Sequence, residues 1–170
     1  MNFLKIKNFL LVFLIIFSYL ISVVKTYAVD ITADRTISSS SDGDQYNIKT
    51  NNDIDVIVTN NSTLERNQKI FNVSAASLTG SSITIHLGSS VIAETNSIFS
   101  NGAELTITNT GTIEATNSKA INVSNSDGVS ITNNNNGVIK SNNNTILGDA
   151  GTGADNVTID NSGEIYTTAT

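Results

Sequence analysis

Three segments between residues 105 and 167 repeat one pattern, and that repeat constrains the fold more than any other feature of the chain. They are Leu105 to Ile113 (Leu-Thr-Ile-Thr-Asn-Thr-Gly-Thr-Ile), Val129 to Ile139 and Val157 to Ile165. Aligned on an Asn-x-Gly-x-Ile core, they set Gly111, Gly137 and Gly163 26 residues apart, and Asn109, Asn135, Asn161 and Ile113, Ile139, Ile165 keep the same spacing. A fixed period of this size is the signature of a solenoid, in which each repeat stacks on the last. Within a repeat, apolar and polar residues alternate before the turn (Leu105/Ile107, Val129/Ile131, Val157/Ile159) and again after it. Period-two alternation describes a half-buried strand. A third short run follows at Ala120 to Val123 and at Thr145 to Leu147.

Three short strands and three corners in each repeat make one coil of a parallel β-helix, with coils about 4.8 Å apart. The expected interior is an aliphatic ladder of Ile113, Ile139 and Ile165, with Asn109, Asn135 and Asn161 stacked at the corner. Gly111, Gly137 and Gly163 are expected to supply positive φ at the sharp turn, where glycine carries no steric penalty.

Residues 53–104 read as two looser coils. Ile54 to Asn60 and Ile83 to Gly88 resemble the first strand and its turn, Leu64 and Val91 stand in the post-turn slot, and Ile70-Phe71 and Ile98-Phe99 in the third. Phe71 and Phe99 are expected to stack inside. Residues 29–52 are polar, with four consecutive serines from Ser38 and with Asp42-Gly43-Asp44, and read as an irregular N-terminal cap or leader strand in which Tyr46 and Ile48 cover the open edge. The fold expected is therefore all-β, a parallel β-helix of about four to five coils over 53–170, behind a helical leader. The last coil stops after Tyr166 without a third strand, so the chain is expected to be a fragment or a truncated product.

Residues 1–28 have the form of a secretory signal peptide. Lys5 and Lys7 precede a 16-residue apolar run from Phe9 to Val24, and Thr26-Tyr27-Ala28 offers small residues for cleavage between Ala28 and Val29. The run is shorter than the ~20 residues a spanning helix needs, although Lys25 directly after it keeps a retained anchor open as an alternative. Cleavage removes three of the nine basic residues and none of the fifteen acidic ones, taking the net charge from −6 to near −9. Such a surface argues against nucleic acid or an anionic membrane as partner. The chain has no cysteine for disulfides and no proline to interrupt stacked strands.

The leader, the absence of cysteine and the repeated Thr-Ile-Thr-Asn-x-Gly-x-Ile pattern together resemble the passenger region of a bacterial autotransporter, over about residues 53–170. The resemblance implies a right-handed parallel β-helix, passage through the export machinery and display at the outer-membrane surface, where the partner would be a protein or glycan on a host or neighbouring cell. It also implies a C-terminal translocator barrel, and no series of ~10-residue amphipathic strands of that kind is present here. Without a translocator the expected location is the periplasm.

No catalytic set, metal site or cofactor is expected. His86, the single histidine, falls on an alternating strand and is expected to point outward; Arg35 and Arg66 are the only arginines, and neither lies in an acidic cluster. Ala150 to Thr158 matches a Ca²⁺-binding nonapeptide except at Ala150, but occurs once and sits in the longest inter-coil loop. Asp42/Asp44 and Asp53/Asp55 supply too few oxygens for a cation. The function expected is a structural or adhesive display scaffold with no catalytic role. The alternatives are a polysaccharide lyase or hydrolase on the same fold, since fold does not fix function, and a truncated product with no function. The open last coil is expected to permit edge-to-edge self-association.

Overall fold

The computed structural model describes residues 28–49, 52–59, 61–74, 78–102, 104–148 and 156–168. Almost all of residues 1–28, read as the leader, therefore lie outside the described residues, and so do residues 150–155 of the Ca²⁺-like nonapeptide.

The described chain is a parallel β-solenoid. Its first coil holds β1 (Ala28–Ile31), β2 (Arg35–Ile37) and β3 (Ser41–Asp42), and the second β4 (Gln45–Ile48), β5 (Asp55–Val58) and β6 (Thr63–Arg66). The third holds β7 (Phe71–Val73), β8 (Ser81–Ile85) and β9 (Ser90–Ala93), and the fourth β10 (Ile98–Asn101), β11 (Leu105–Asn109) and β12 (Thr112–Ala115). β13 (Ile121–Asn125), β14 (Ser130–Asn133) and β15 (Val138–Ser141) follow, and β16 (Ile146–Leu147), β17 (Thr158–Asn161) and β18 (Glu164–Thr167) close the series. Every third strand joins the same sheet, giving three six-stranded sheets and about five turns. The first sheet starts at β1, the second at β2 and the third at β3. Every strand pair is parallel.

Parallel register stacks like on like. In the second sheet the inward column runs Val56, Ile83, Ile107, Ile131, Ile159. In the third it runs Leu64, Val91, Ile113, Ile139, Ile165. In the first it runs Tyr46, Phe71, Ile98, Ile121, Ile146. As far as Ile139 these columns meet along the axis as one continuous buried core, with Ile146 and Ile165 partly buried against it and Ile159 exposed. Each fully buried aliphatic side chain contributes about 1.5–3 kcal/mol relative to exposure, and one coil alone has nothing to bury its inner face against.

Four expectations are corrected here. The segment 29–52 is not irregular: it supplies β1 to β4, so the solenoid begins some twenty-five residues before residue 53. Of these, β2 and β3 are only three and two residues long, and each is paired on one side alone. Secondly, Asn135 does not belong to the amide ladder. The register partner of Asn109 is Asn133, whose partner is Asn161. The second repeat carries two extra residues between strand and glycine, and the turn absorbs them, leaving Asn135 exposed at its tip.

Thirdly, Phe99 does not stack on Phe71. Phe71 pairs with Ile98, which sends Phe99 to the outer face, because one residue of offset reverses the side of a strand. Phe71 packs instead on Tyr46, with ring centroids 5.6 Å apart. Finally, Gly111, Gly137 and Gly163 do not have positive φ; that conformation belongs to Gly43, Gly80, Gly88, Gly102 and Gly128. The three repeat glycines are required by close approach. A Cβ on Gly137 would overlap Asn133 Oδ1 and sit 2.6 Å from the Asn109 carbonyl oxygen, and one on Gly163 would overlap the carbonyls of Gly137 and Asn134. They do form a column: Val138 N donates to Gly111 O at 2.8 Å, and Glu164 N to Gly137 O at 2.9 Å.

Candidate functional site

Because the inner columns are filled by apolar and amide side chains, whatever the solenoid contacts must meet the outward columns, the corners or the two ends. The outward columns differ in chemistry from sheet to sheet. On the second sheet, one column is Asp55, Ser82, Thr106, Ser130, Thr158 and its neighbour Ile57, Thr84, Thr108, Thr132, Asp160. Over β8, β11 and β14 this face is hydroxyl throughout and uncharged, with rows about 4.8 Å apart. Asp55 closes one end by accepting a 2.6 Å hydrogen bond from Ser82 Oγ.

The first sheet turns amides outward. Asp30, Asn47, Asn72, Phe99, Asn122 and Leu147 are register partners. Asn72 Nδ2 donates to Asn47 Oδ1 at 3.2 Å, and Asn47 Nδ2 to Asp30 Oδ1 at 3.0 Å. The ammonium of Lys69 lies 3.5 Å from the centre of the Phe99 ring, and the partial burial that comes with this lowers the pKa of Lys69. The third sheet carries charge: Asp42, Glu65, Ile92, Glu114, Lys140 and Tyr166 share a column. Lys140 Nζ sits 2.9 Å from Glu114 Oε2, and that hydrogen bond raises the lysine pKa against the pull of burial.

A shallow open groove of about 580 Å³ follows the edge of this third sheet, lined by acidic Asp42, Glu65 and Glu94 with Arg66, Ile92 and Asn117. Arg66 Nη1 donates to Gln45 Oε1 at 2.9 Å while its buried Nε has no partner. Burial lowers the arginine pKa, and nearby Asp44 opposes that shift. His86 is exposed, with Nδ1 3.3 Å from Thr59 Oγ1. It stands beside Leu87 and Thr110 in a second shallow groove. The Thr59 hydroxyl is the group paired with the imidazole there, and no carboxylate is among the residues that line this groove. Among the described residues no three His, Asp or Glu side chains converge as metal ligands do.

The corner between the second and third sheets holds the feature that sequence spacing located only in part. Asn109 Nδ2 donates to Asn133 Oδ1 at 2.8 Å and to Val138 O at 3.2 Å. Asn133 Nδ2 repeats this one coil on, at 2.8 Å to Asn161 Oδ1 and 3.2 Å to Glu164 O. Asn109 and Asn133 are fully buried, so each amide is satisfied by its neighbours rather than by water. Val58 and Ile85 occupy the same column in the earlier coils. The stack therefore changes from aliphatic to amide at Asn109. A signal for Asn133 was present in the sequence: it ends the alternating run Val129-Ser-Ile-Thr, as Asn109 ends Leu105-Thr-Ile-Thr. Ala28 and Val29, the residues flanking the expected cleavage point, open β1.

Compared with known proteins, the chain matches no described family, no curated relative and no solved structure.

Proposed function

We propose that this chain is an exported bacterial surface protein of the autotransporter-passenger kind, a structural and adhesive display scaffold with no catalytic role. The observation that carries this reading is the uncharged hydroxyl face of the second sheet, where Ser82, Thr84, Thr106, Thr108, Ser130 and Thr132 stand in two straight columns. Hydroxyls are both donors and acceptors, and a rigid sheet holds them at fixed spacing without further loss of backbone entropy on contact. That suits adhesion to a protein or glycan surface, in which many weak contacts act together. The basic start and apolar run of residues 1–28 support export. The grooves beside Arg66 and His86 are shallow and lack the converging, mutually oriented groups that catalysis draws on.

The test is expression of the full chain in a Gram-negative host, with two readouts. Export is read by fractionation and by the N-terminal residue of the recovered protein, expected at Val29. Adhesion is read as saturable binding of the recovered protein to cultured host cells, with Thr108→Lys and Thr132→Lys together reducing binding at least tenfold. Cytoplasmic retention of unprocessed chain would overturn export. Binding that is absent, or unchanged by the two lysines, would overturn the adhesive face.

A further inference from the structure

An asparagine followed by glycine is open to attack by the next backbone nitrogen on its own side chain, because glycine has no Cβ to hinder the approach. The chain holds this pair twice, at Asn101-Gly102 and at Asn136-Gly137. At the second pair the Gly137 nitrogen would bond to Asn136 Cγ, the Cγ–Nδ2 bond would break, and ammonia would leave with the proton given up by the Gly137 amide. Water then opens the succinimide ring. Opening at one carbonyl gives aspartate. Opening at the other gives isoaspartate, whose main chain runs through Cγ and is longer by a methylene. The sum is a carboxamide and water going to a carboxylate and ammonium, with no change of oxidation state.

The folded corner opposes the first step. Asn136 is exposed at the tip of its turn, but the Gly137 nitrogen is held. It donates to Asn134 O at 2.7 Å. Gly137 is also pinned within the stack, where Val138 N donates to Gly111 O at 2.8 Å and Glu164 N donates to the Gly137 carbonyl at 2.9 Å. Ring closure has to break the bond to Asn134 and turn the Gly137 nitrogen toward Cγ. In the folded chain it therefore waits on local opening of the corner.

The two products differ in what they do to the coil. Aspartate keeps the chain length and leaves its carboxylate at the exposed tip. Isoaspartate inserts its methylene directly before Gly137, where a single added Cβ already overlaps Asn133 Oδ1 and lies 2.6 Å from the Asn109 carbonyl oxygen. It displaces Val138, whose carbonyl accepts from Asn109 Nδ2 and whose strand β15 is paired on both sides. Asn101-Gly102 is held in a similar way, with Gly102 N donating to Asn125 O at 2.7 Å. There, however, Gly102 has a φ of 83° and the register of β10 against β13 already shifts between Phe99 and Asn101. An irregular backbone is accommodated at that corner.

We propose that Asn136-Gly137 is a self-modification site that reacts with water while its coil is open and is silenced when the coil closes, and that its isoaspartate product is barred from the stack. The pair records time spent unfolded and removes slow-folding chains from those that complete the solenoid. This inference rests on the corner geometry and is independent of the adhesive reading.

The purified full chain is held at mildly alkaline pH in native buffer and in urea, and products at each asparagine are followed by peptide mapping with mass spectrometry. Conversion of Asn136 is expected in urea and at least tenfold slower in native buffer. The urea sample is then diluted to refold, and the folded fraction is compared with the starting mixture. Isoaspartate at position 136 is expected to be depleted at least tenfold in the folded fraction, with aspartate at 136 and isoaspartate at 101 retained. Asn136→Ser has no carboxamide to close the ring, and after the same time in urea it is expected to refold as fully as fresh chain. The comparison of rates stands whether or not refolding is complete. Equal rates in the two buffers, no conversion of Asn136 in urea, or isoaspartate 136 undiminished in the folded fraction would each overturn the proposal.

Discussion

Replacing Gly137 with alanine tests the stacking geometry at its tightest point. The added Cβ overlaps Asn133 Oδ1, lies 2.6 Å from the Asn109 carbonyl oxygen and 2.9 Å from Asn109 Nδ2. The backbone oxygen belongs to a paired strand and cannot move without opening the coil spacing, so the side-chain amides must give way. Asn133 then loses its register with Asn109 and Asn161, and each hydrogen bond lost costs about 0.5–1.5 kcal/mol. A buried amide left without a partner adds about 1–3 kcal/mol. Against this, alanine reduces the freedom of the unfolded chain, a gain of about 0.4–1 kcal/mol. The net expectation is a loss of about 2–4 kcal/mol, dominated by the amide column. Gly148→Ala is the matched control: φ is not positive there and nothing among the described residues lies within 4 Å of the added Cβ. Only the unfolded-chain term remains, so that variant is expected to gain about 0.4–1 kcal/mol. Both are read from urea unfolding followed by circular dichroism. If Gly137→Ala cost no more than Gly148→Ala, the stacked corner would not be as close as described.

Asn133→Ala is expected to destabilise by about 2 kcal/mol or more, because it breaks the column at a fully buried rung, removes the bonds to Asn109 and Asn161, and leaves Asn109 Nδ2 with Val138 O alone. Asn135→Ala, at the exposed turn tip, is expected to stay within about 0.5 kcal/mol in the same urea experiment; equal effects would return Asn135 to the ladder. The Glu114–Lys140 pair gives a pH dependence. The lysine pKa is raised in the folded state, so its stabilisation is present in full below the unfolded pKa of ~10.4 and is lost as pH rises through the folded value. Melting temperatures from pH 8 to 11 are expected to fall more steeply for the parent chain than for Lys140→Gln, and parallel profiles would mean that the pair is not formed.

Much of the solenoid was legible because identity of spacing and identity of position coincide in a parallel stack. Ile113, Ile139 and Ile165 lie at equal intervals and are register partners. Leu64 and Val91, placed in the same slot by pattern alone, extend that column. Where insertions fall between landmarks the coincidence fails. Measured from Gly137 the ladder residue is Asn135, whereas measured from the strand it is Asn133, and only the strand is held by backbone pairing. Phe99 fails for a related reason. A run such as Ile98-Phe99 looks apolar whichever residue points inward, and the neighbouring strand chooses. The first coil was hidden because β2 and β3 are three and two residues long and lack the Asn-x-Gly corner. Too little alternation remains in strands so short to mark a period.

The repeat glycines separate two causes that sequence alone does not distinguish. A glycine at a corner can serve a left-handed backbone or a close approach, and the 26-residue period is the same for both. Here the turn conformations are carried by other residues: Gly80, Gly88 and Gly128, together with Asp53 and Asn61, have positive φ. Gly137 and Gly163 instead make room for the asparagine column, and Gly111 clears the carbonyls of Ser89 and His86 in the coil below it. The earlier coils have Val58 and Ile85 at that position, and there the corner is occupied by Asn61 and Gly88, where a Cβ on Gly88 would overlap Asn61 Oδ1. The buried amides and the glycines without positive φ thus occur together from Asn109 onward, whereas the earlier corner is turned by Asn61 and Gly88 in the positive-φ conformation. Their coupling is physical, since the amide reaches carbonyls in the next coil only where no Cβ stands between.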